Sequence, residues 1–116
     1  MDRQPAALKT VDGSEFCASQ LTNLQERLSS FLRPYPCRVY LFGSWATRQA
    51  RQSSDVDIAI LPETSLPTGL LSQLRFELEE SSLLLSVDVI DLSQTPPTFQ
   101  QRVISEGKLW IDSTNE

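Results

Sequence analysis

Residues 43 to 57, GSWATRQARQSSDVD, hold side chains suited to phosphate and cation chemistry. Asp55 and Asp57 flank Val56, and the apolar run Ile58-Ala59-Ile60-Leu61 follows them. In a strand successive side chains point to opposite faces, so the two carboxylates share one face while Val56, Ile58 and Ile60 enter a core on the other. Paired carboxylates beside a buried strand repel each other and are costly to desolvate unless a cation sits between them. Hard oxygen donors suit Mg²⁺, which is commonly held by one or two carboxylates plus the phosphates of a substrate. Separated from Asp55 by ten residues, Gly43-Ser44 follows another apolar run, CRVYLF. A glycine there allows close backbone approach, and the serine adds a hydroxyl and amide hydrogens at a helix start, which is what a triphosphate requires.

The elements that must position these groups follow from periodicity and punctuation. Apolar residues recur at Cys17, Leu21, Leu24, Leu28 and Phe31 or Leu32, which predicts a helix over 14–33 that Pro34 and Pro36 end. Cys37 to Phe42 is rich in β-branched and aromatic residues and reads as a strand. A short helix is expected over 45–50, then a strand over 55–61 halted by Pro62. After the loop PETSLPTG, Leu71, Leu74, Leu78 and Leu85 predict a second long helix over 68–85. A strand over 86–91 follows, then a helix over 97–106 opened by proline and closed by Gly107, and KLWID at 108–112 reads as an edge strand. The 116 residues form a single domain, with 1–12 and 113–116 expected to be loosely ordered.

Composition narrows the chemistry. The net charge of −5 and the absence of a basic stripe speak against direct nucleic-acid binding, which relies on positive surface. No apolar stretch approaches the length of a membrane span, and the N-terminus lacks a signal-peptide core. Cys17 and Cys37 show no framework or metal spacing, so reduced thiols and a cytoplasmic location are expected. With no histidine, His-based triads, phosphohistidine relays and His zinc sites are excluded, and carboxylates are left as the acid–base groups. Glu77, Glu79 and Glu80 read as a solvated helix face, Trp45 as a packing residue, and Phe99 and Trp110 as core or interface. Arg48 and Arg51, between the Gly-Ser turn and the acids, are candidates for triphosphate contacts and equally for a solvated loop.

A Gly-Ser turn, about ten residues, an acid–apolar–acid pair on a strand and a further acid on a later strand make an arrangement that resembles the signature of the DNA polymerase β-like nucleotidyltransferase superfamily. It is most similar to the minimal nucleotidyltransferase (MNT) group, small prokaryotic domains often encoded as antitoxins beside a HEPN-domain toxin. Gly43, Ser44, Asp55 and Asp57 match the motif, as does Ser54. Of the two acids in VDVIDL, Asp88 fits the third position better than Asp91, which sits nearer the turn announced by Pro96 and Pro97. The family commonly carries glycine where this chain has Arg48, which leaves the carboxylates intact but alters the loop over 48–54.

The resemblance implies an α+β fold, a mixed twisted sheet with helices packed mainly on one face, rather than the Rossmann-like parallel sheet that element order alone would permit. It implies transfer of AMP from ATP with two Mg²⁺ ions: Asp55 and Asp57 would hold both, Asp88 would complete one site and act on the acceptor hydroxyl, and Gly43 and Ser44 would hold the departing phosphates. The implied acceptor is a hydroxyl, a tyrosine, of a HEPN-family toxin, within a hetero-oligomer or a homodimer. Two alternatives stand beside it. One is an idle antitoxin that neutralises by binding alone; the other is an antibiotic nucleotidyltransferase, for which the chain leaves little room to build an acceptor pocket.

Overall fold

The computed structural model describes residues 14–43 and 55–114. The expected short helix over 45–50, Ser44, Trp45, Arg48, Arg51 and Ser54 therefore lie outside the described residues, as do 1–12.

The first helix among the described residues, α1, spans Ser14–Leu32 and buries Leu24, Leu28 and Leu32 to 1% exposure or less. These lie four apart, one stripe of a 3.6-residue repeat, and each such leucine contributes roughly 1.5–3 kcal/mol on burial. Strands β1 (Cys37–Phe42) and β2 (Val56–Pro62) pair antiparallel. Helix α2 (Leu70–Glu79) then crosses over to β3 (Val87–Asp91), which pairs parallel with β2. A single 3₁₀ turn at Leu92–Gln94 leads into α3 (Pro97–Glu106), and β4 (Lys108–Asp112) returns antiparallel to β1, with a bulge between Val39 and Tyr40. The sheet order is β3-β2-β1-β4. β2 is thus interior, and its near-continuous apolar sequence follows from cover on both faces.

One face carries the larger core. Leu24, Leu28 and Leu32 of α1 and Leu74 and Leu78 of α2 pack on Val39, Leu41, Val56, Ile58, Ile60 and Val89. The opposite face holds a smaller cluster in which Tyr40 and Ala59 meet Leu92 and Val103, with Phe42 and Phe99 alongside. Among the described residues, two helices on one face and one on the other give the mixed α+β sheet expected from the sequence. α3 is opened by Pro97 in its first turn, and Gly107 closes it, its backbone N–H donating a hydrogen bond to the Val103 carbonyl at 2.7 Å. After β4 the chain stays bonded, the Ser113 amide donating to the Cys37 carbonyl at 2.9 Å.

α2 is shorter than the periodicity predicts, ending at Glu79 rather than Leu85. Two local bonds terminate it. Ser81 Oγ donates to the Leu78 carbonyl at 2.6 Å and accepts the Leu83 amide at 3.2 Å, an alternative to the helical ladder that serine side chains offer. Leu85 still reaches the core, at 9% exposure, from non-helical backbone, so a buried leucine at helical spacing masqueraded as helix. At the other end, Gly69 is in the left-handed region (φ 84°) and delays the start to Leu70.

Cys37 is a free, fully buried thiol whose pKa burial pushes up, leaving it an inert packing group. Among the described residues no helix is long and apolar enough to cross a membrane.

Candidate functional site

The site is assembled by register. In the parallel β2–β3 pair, Asp57 lies directly opposite Asp88. Directly paired residues of adjacent strands project from the same face, so the two carboxylates stand side by side there. On the other flank of β2, Asp57 is paired with Phe42 at the end of β1, and Gly43 follows. Three neighbouring strands therefore deliver, in order across the sheet, the glycine turn, Asp57 and Asp88. Asp55 lies immediately before β2, exposed, two residues from Asp57.

Asp91 belongs elsewhere. It is paired with Ile60, and being three residues from Asp88 it projects from the opposite face. Its Oδ1 accepts from the Ser93 amide at 2.9 Å and from Ser93 Oγ at 2.6 Å, capping the 3₁₀ turn.

Electrostatics mark Asp57 as the centre. Its pKa is raised, chiefly because it is withdrawn from water and then by the charges of Asp88 and Asp55. The withdrawal has a visible source in the smaller core. Phe42, its register partner, packs edge-to-face on Phe99 of α3 with ring centroids 6.0 Å apart. Gly43 is in the left-handed region (φ 77°), and a Cβ there would collide with Asp57 Oδ2. The backbone thus runs close to the carboxylate, and both its φ and the space around it favour glycine.

Among the described residues no three carboxylate or thiol side chains are drawn into a ready-made ligand cage. The donor set nonetheless fits a hard divalent cation: oxygen ligands throughout, mutual repulsion, and a carboxyl held above its usual pKa that a cation would bring back down.

A cleft of about 420 Å³ opens on the β3 side of the acids, lined by Asp55, Asp88, Ser86, Arg75, Leu78 and Leu83 among others. Arg75 donates from Nη2 (2.7 Å) and Nε (3.3 Å) to the carbonyl of Val89, satisfying an acceptor on an edge strand that would otherwise invite another chain. The sequence reading missed Arg75. Its signal was there, a lone cation on a helix whose next charges are Glu77, Glu79 and Glu80, all exposed. The Phe42–Phe99 wall was likewise not legible as part of the site, since Phe99 reads as ordinary core.

Comparison with known proteins bears on this arrangement. A family model described as polymerase β, nucleotidyltransferase, matches residues 24–116. The protein adenylyltransferase MntA of Shewanella oneidensis is 36% identical over 73 residues, 62% of this chain and 52% of that protein, so the chain spans about half the length of this curated relative. A crystal structure of a toxin–antitoxin with AMP-PNP is similar at a TM-score of 0.64 and 29% identity, over 78% of this chain and 75% of that one. A structure of tri-AMPylated Shewanella oneidensis HEPN toxin in complex with MNT antitoxin is similar at 0.58 and 28%, over 83% and 75%.

Proposed function

Since the chain belongs to the polymerase β nucleotidyltransferase family, we propose that it transfers AMP from ATP to a tyrosine hydroxyl of a HEPN-family toxin, in the cytoplasm, and so silences that toxin as its antitoxin. The observation that carries this reading is the pairing of Asp57 with Asp88, with Asp55 and Gly43 against the same carboxylate. The relatives named above supply the chemistry: one is an adenylyltransferase, and two structures are toxin–antitoxin assemblies, one with an ATP analogue and one with an AMP-modified toxin.

In this mechanism Gly43 and Ser44 bind the β- and γ-phosphates through backbone amide and hydroxyl, taking up the charge that develops on departing pyrophosphate. Asp55, Asp57 and Asp88 would hold two Mg²⁺ ions, which when bound neutralise the phosphates and stabilise the entering and leaving oxygens of an in-line displacement. Asp57 is kept in place by β1 and β3 on either side and by the Phe42–Phe99 wall beneath, so its carboxylate is oriented before substrate arrives. Asp88 flanks the acceptor and takes the proton of its hydroxyl.

The test uses ATP radiolabelled at the α-phosphate or at the γ-phosphate, with Mg²⁺ and the toxin. Label from the α-position should appear on the toxin, and none from the γ-position. Label from the γ-position would indicate a kinase, and none from either would leave the family membership intact while removing the proposed activity.

A further inference from the structure

We infer that Arg75 of α2 and Gln25 of α1 are edge guards, which stop the sheet from extending head-to-tail through further copies of this chain. Among the described residues β3 and β4 are the outer strands, one on each side of the β2–β1 centre. An outer strand presents unpaired N–H and C=O groups, a template for pairing with another chain. On β3 the outward set follows from the ladder. The Ser86 carbonyl takes the Val56 amide at 2.8 Å, so residues 86, 88 and 90 bond toward β2, while Val87, Val89 and Asp91 turn their backbone groups outward. Val89 is the middle of these three, and its carbonyl is the one that Arg75 fills with two donors.

β4 is closed in the same way from the other helix. Trp110 has no partner in the β1–β4 register, where Val39 pairs with Ile111 and Tyr40 with Leu109. Gln25 Nε2 donates to the carbonyl of that bulged residue at 3.0 Å. α1 and α2 both cover the larger core, so each helix sends one long polar side chain to one rim of the sheet. The neighbour they exclude is a second copy. β1 runs antiparallel to both β2 and β4, and β3 runs parallel to β2, so β3 and β4 point the same way. A copy displaced sideways therefore offers its β4 to this chain's β3 as a parallel strand, with both faces of the sheet continuing. Charge favours that contact. β3 carries Asp88 and Asp91, β4 carries Lys108, and the acid of β4, Asp112, is engaged by Arg38 at 3.6 Å. The contact uses different surfaces on the two copies and does not close on itself, so it repeats into open-ended assemblies. Both guards must give up their hydrogen bonds before it forms.

The double variant Arg75→Ala/Gln25→Ala should self-associate on the order of a hundredfold more tightly than wild type in sedimentation velocity, roughly tenfold for each guard removed. Arg75→Lys/Gln25→Ala keeps a donor for the Val89 carbonyl and should fall back to the level of Gln25→Ala alone. Hydrogen exchange tells strand pairing from other association. The outward amides of Val87 and Val89 should exchange rapidly in wild type and gain protection in the associated double variant. Should the double variant fail to fold, the two single variants carry the test with the same readouts. A folded variant that stays as monomeric as wild type, or one that associates without protecting Val87 and Val89, would overturn the inference. So would a wild type that already pairs through these edges.

Discussion

Asp57→Asn is expected to cut AMP transfer by about a thousandfold, the rate equivalent of roughly 4 kcal/mol of lost transition-state stabilisation, while the protein stays folded. Asparagine is nearly isosteric, so the contact with Gly43 and the pairing to Phe42 and Asp88 survive. What disappears is the charge. A carboxyl whose folded pKa is raised costs stability as pH climbs from its unfolded value of 3.8 through the raised folded value, and at neutral pH that cost is complete. The variant should therefore melt at or above the wild-type temperature at pH 7 without metal, and the gap should close below about pH 3.8, where wild type is protonated in both states. Mg²⁺ should raise the melting temperature of wild type and not of the variant, because a cation that binds the folded state alone stabilises it by mass action. Asp91→Asn is the comparator: it keeps the oxygen that Ser93 bonds and should transfer AMP at the wild-type rate. Equal rates for wild type and Asp57→Asn would remove the carboxylate from the chemistry.

Gly43→Ala is expected to combine a stability loss with a rate loss of about a hundredfold, because two separate constraints meet at this residue. Its φ of 77° costs an alanine about 1–2 kcal/mol by itself, and the added Cβ would strike Asp57 Oδ2 and displace the carboxylate. Gly69 isolates the first effect. Its φ is 84°, but a Cβ there meets nothing within 4 Å. Gly69→Ala should lose about 1–2 kcal/mol in denaturant melts and keep full transfer activity. If both alanine variants retained activity, the contact between Gly43 and Asp57 would be incidental to catalysis.

The parts of the fold that the sequence makes legible are those in which local pattern and tertiary need coincide. β1 and α3 occupy the expected residues, as does β4, because punctuation and periodicity agree there: Pro36 precedes Cys37, Pro97 opens a helix, and Gly107 ends it. α2 departs because a leucine at helical spacing can be buried by non-helical chain, and Ser81 offers the backbone a competing bond. Around the acids, the i, i+2 spacing gives the shared face of Asp55 and Asp57. That Asp88 stands opposite Asp57 depends on strand register, which is a long-range property, and so does the capping role of Asp91. Arg75 and the Phe42–Phe99 wall were not legible for the same reason. Each draws its meaning from a partner far away in sequence, Val89 for the arginine and Asp57 for the aromatic pair.

Binding alone and covalent modification can both silence a toxin while the two proteins are together, so their difference shows only after they part. A complex held by apolar contacts releases an unchanged toxin, whereas an AMP–tyrosine bond outlasts the complex. The decisive measurement is the toxic activity of the HEPN-family toxin after incubation with this protein, ATP and Mg²⁺, followed by complete separation of the two chains. Toxin treated with wild type should remain inactive, and toxin treated with Asp55→Asn should regain its activity in full. Full recovery after wild-type treatment would contradict the account and identify the chain as a binding module built on a nucleotidyltransferase fold.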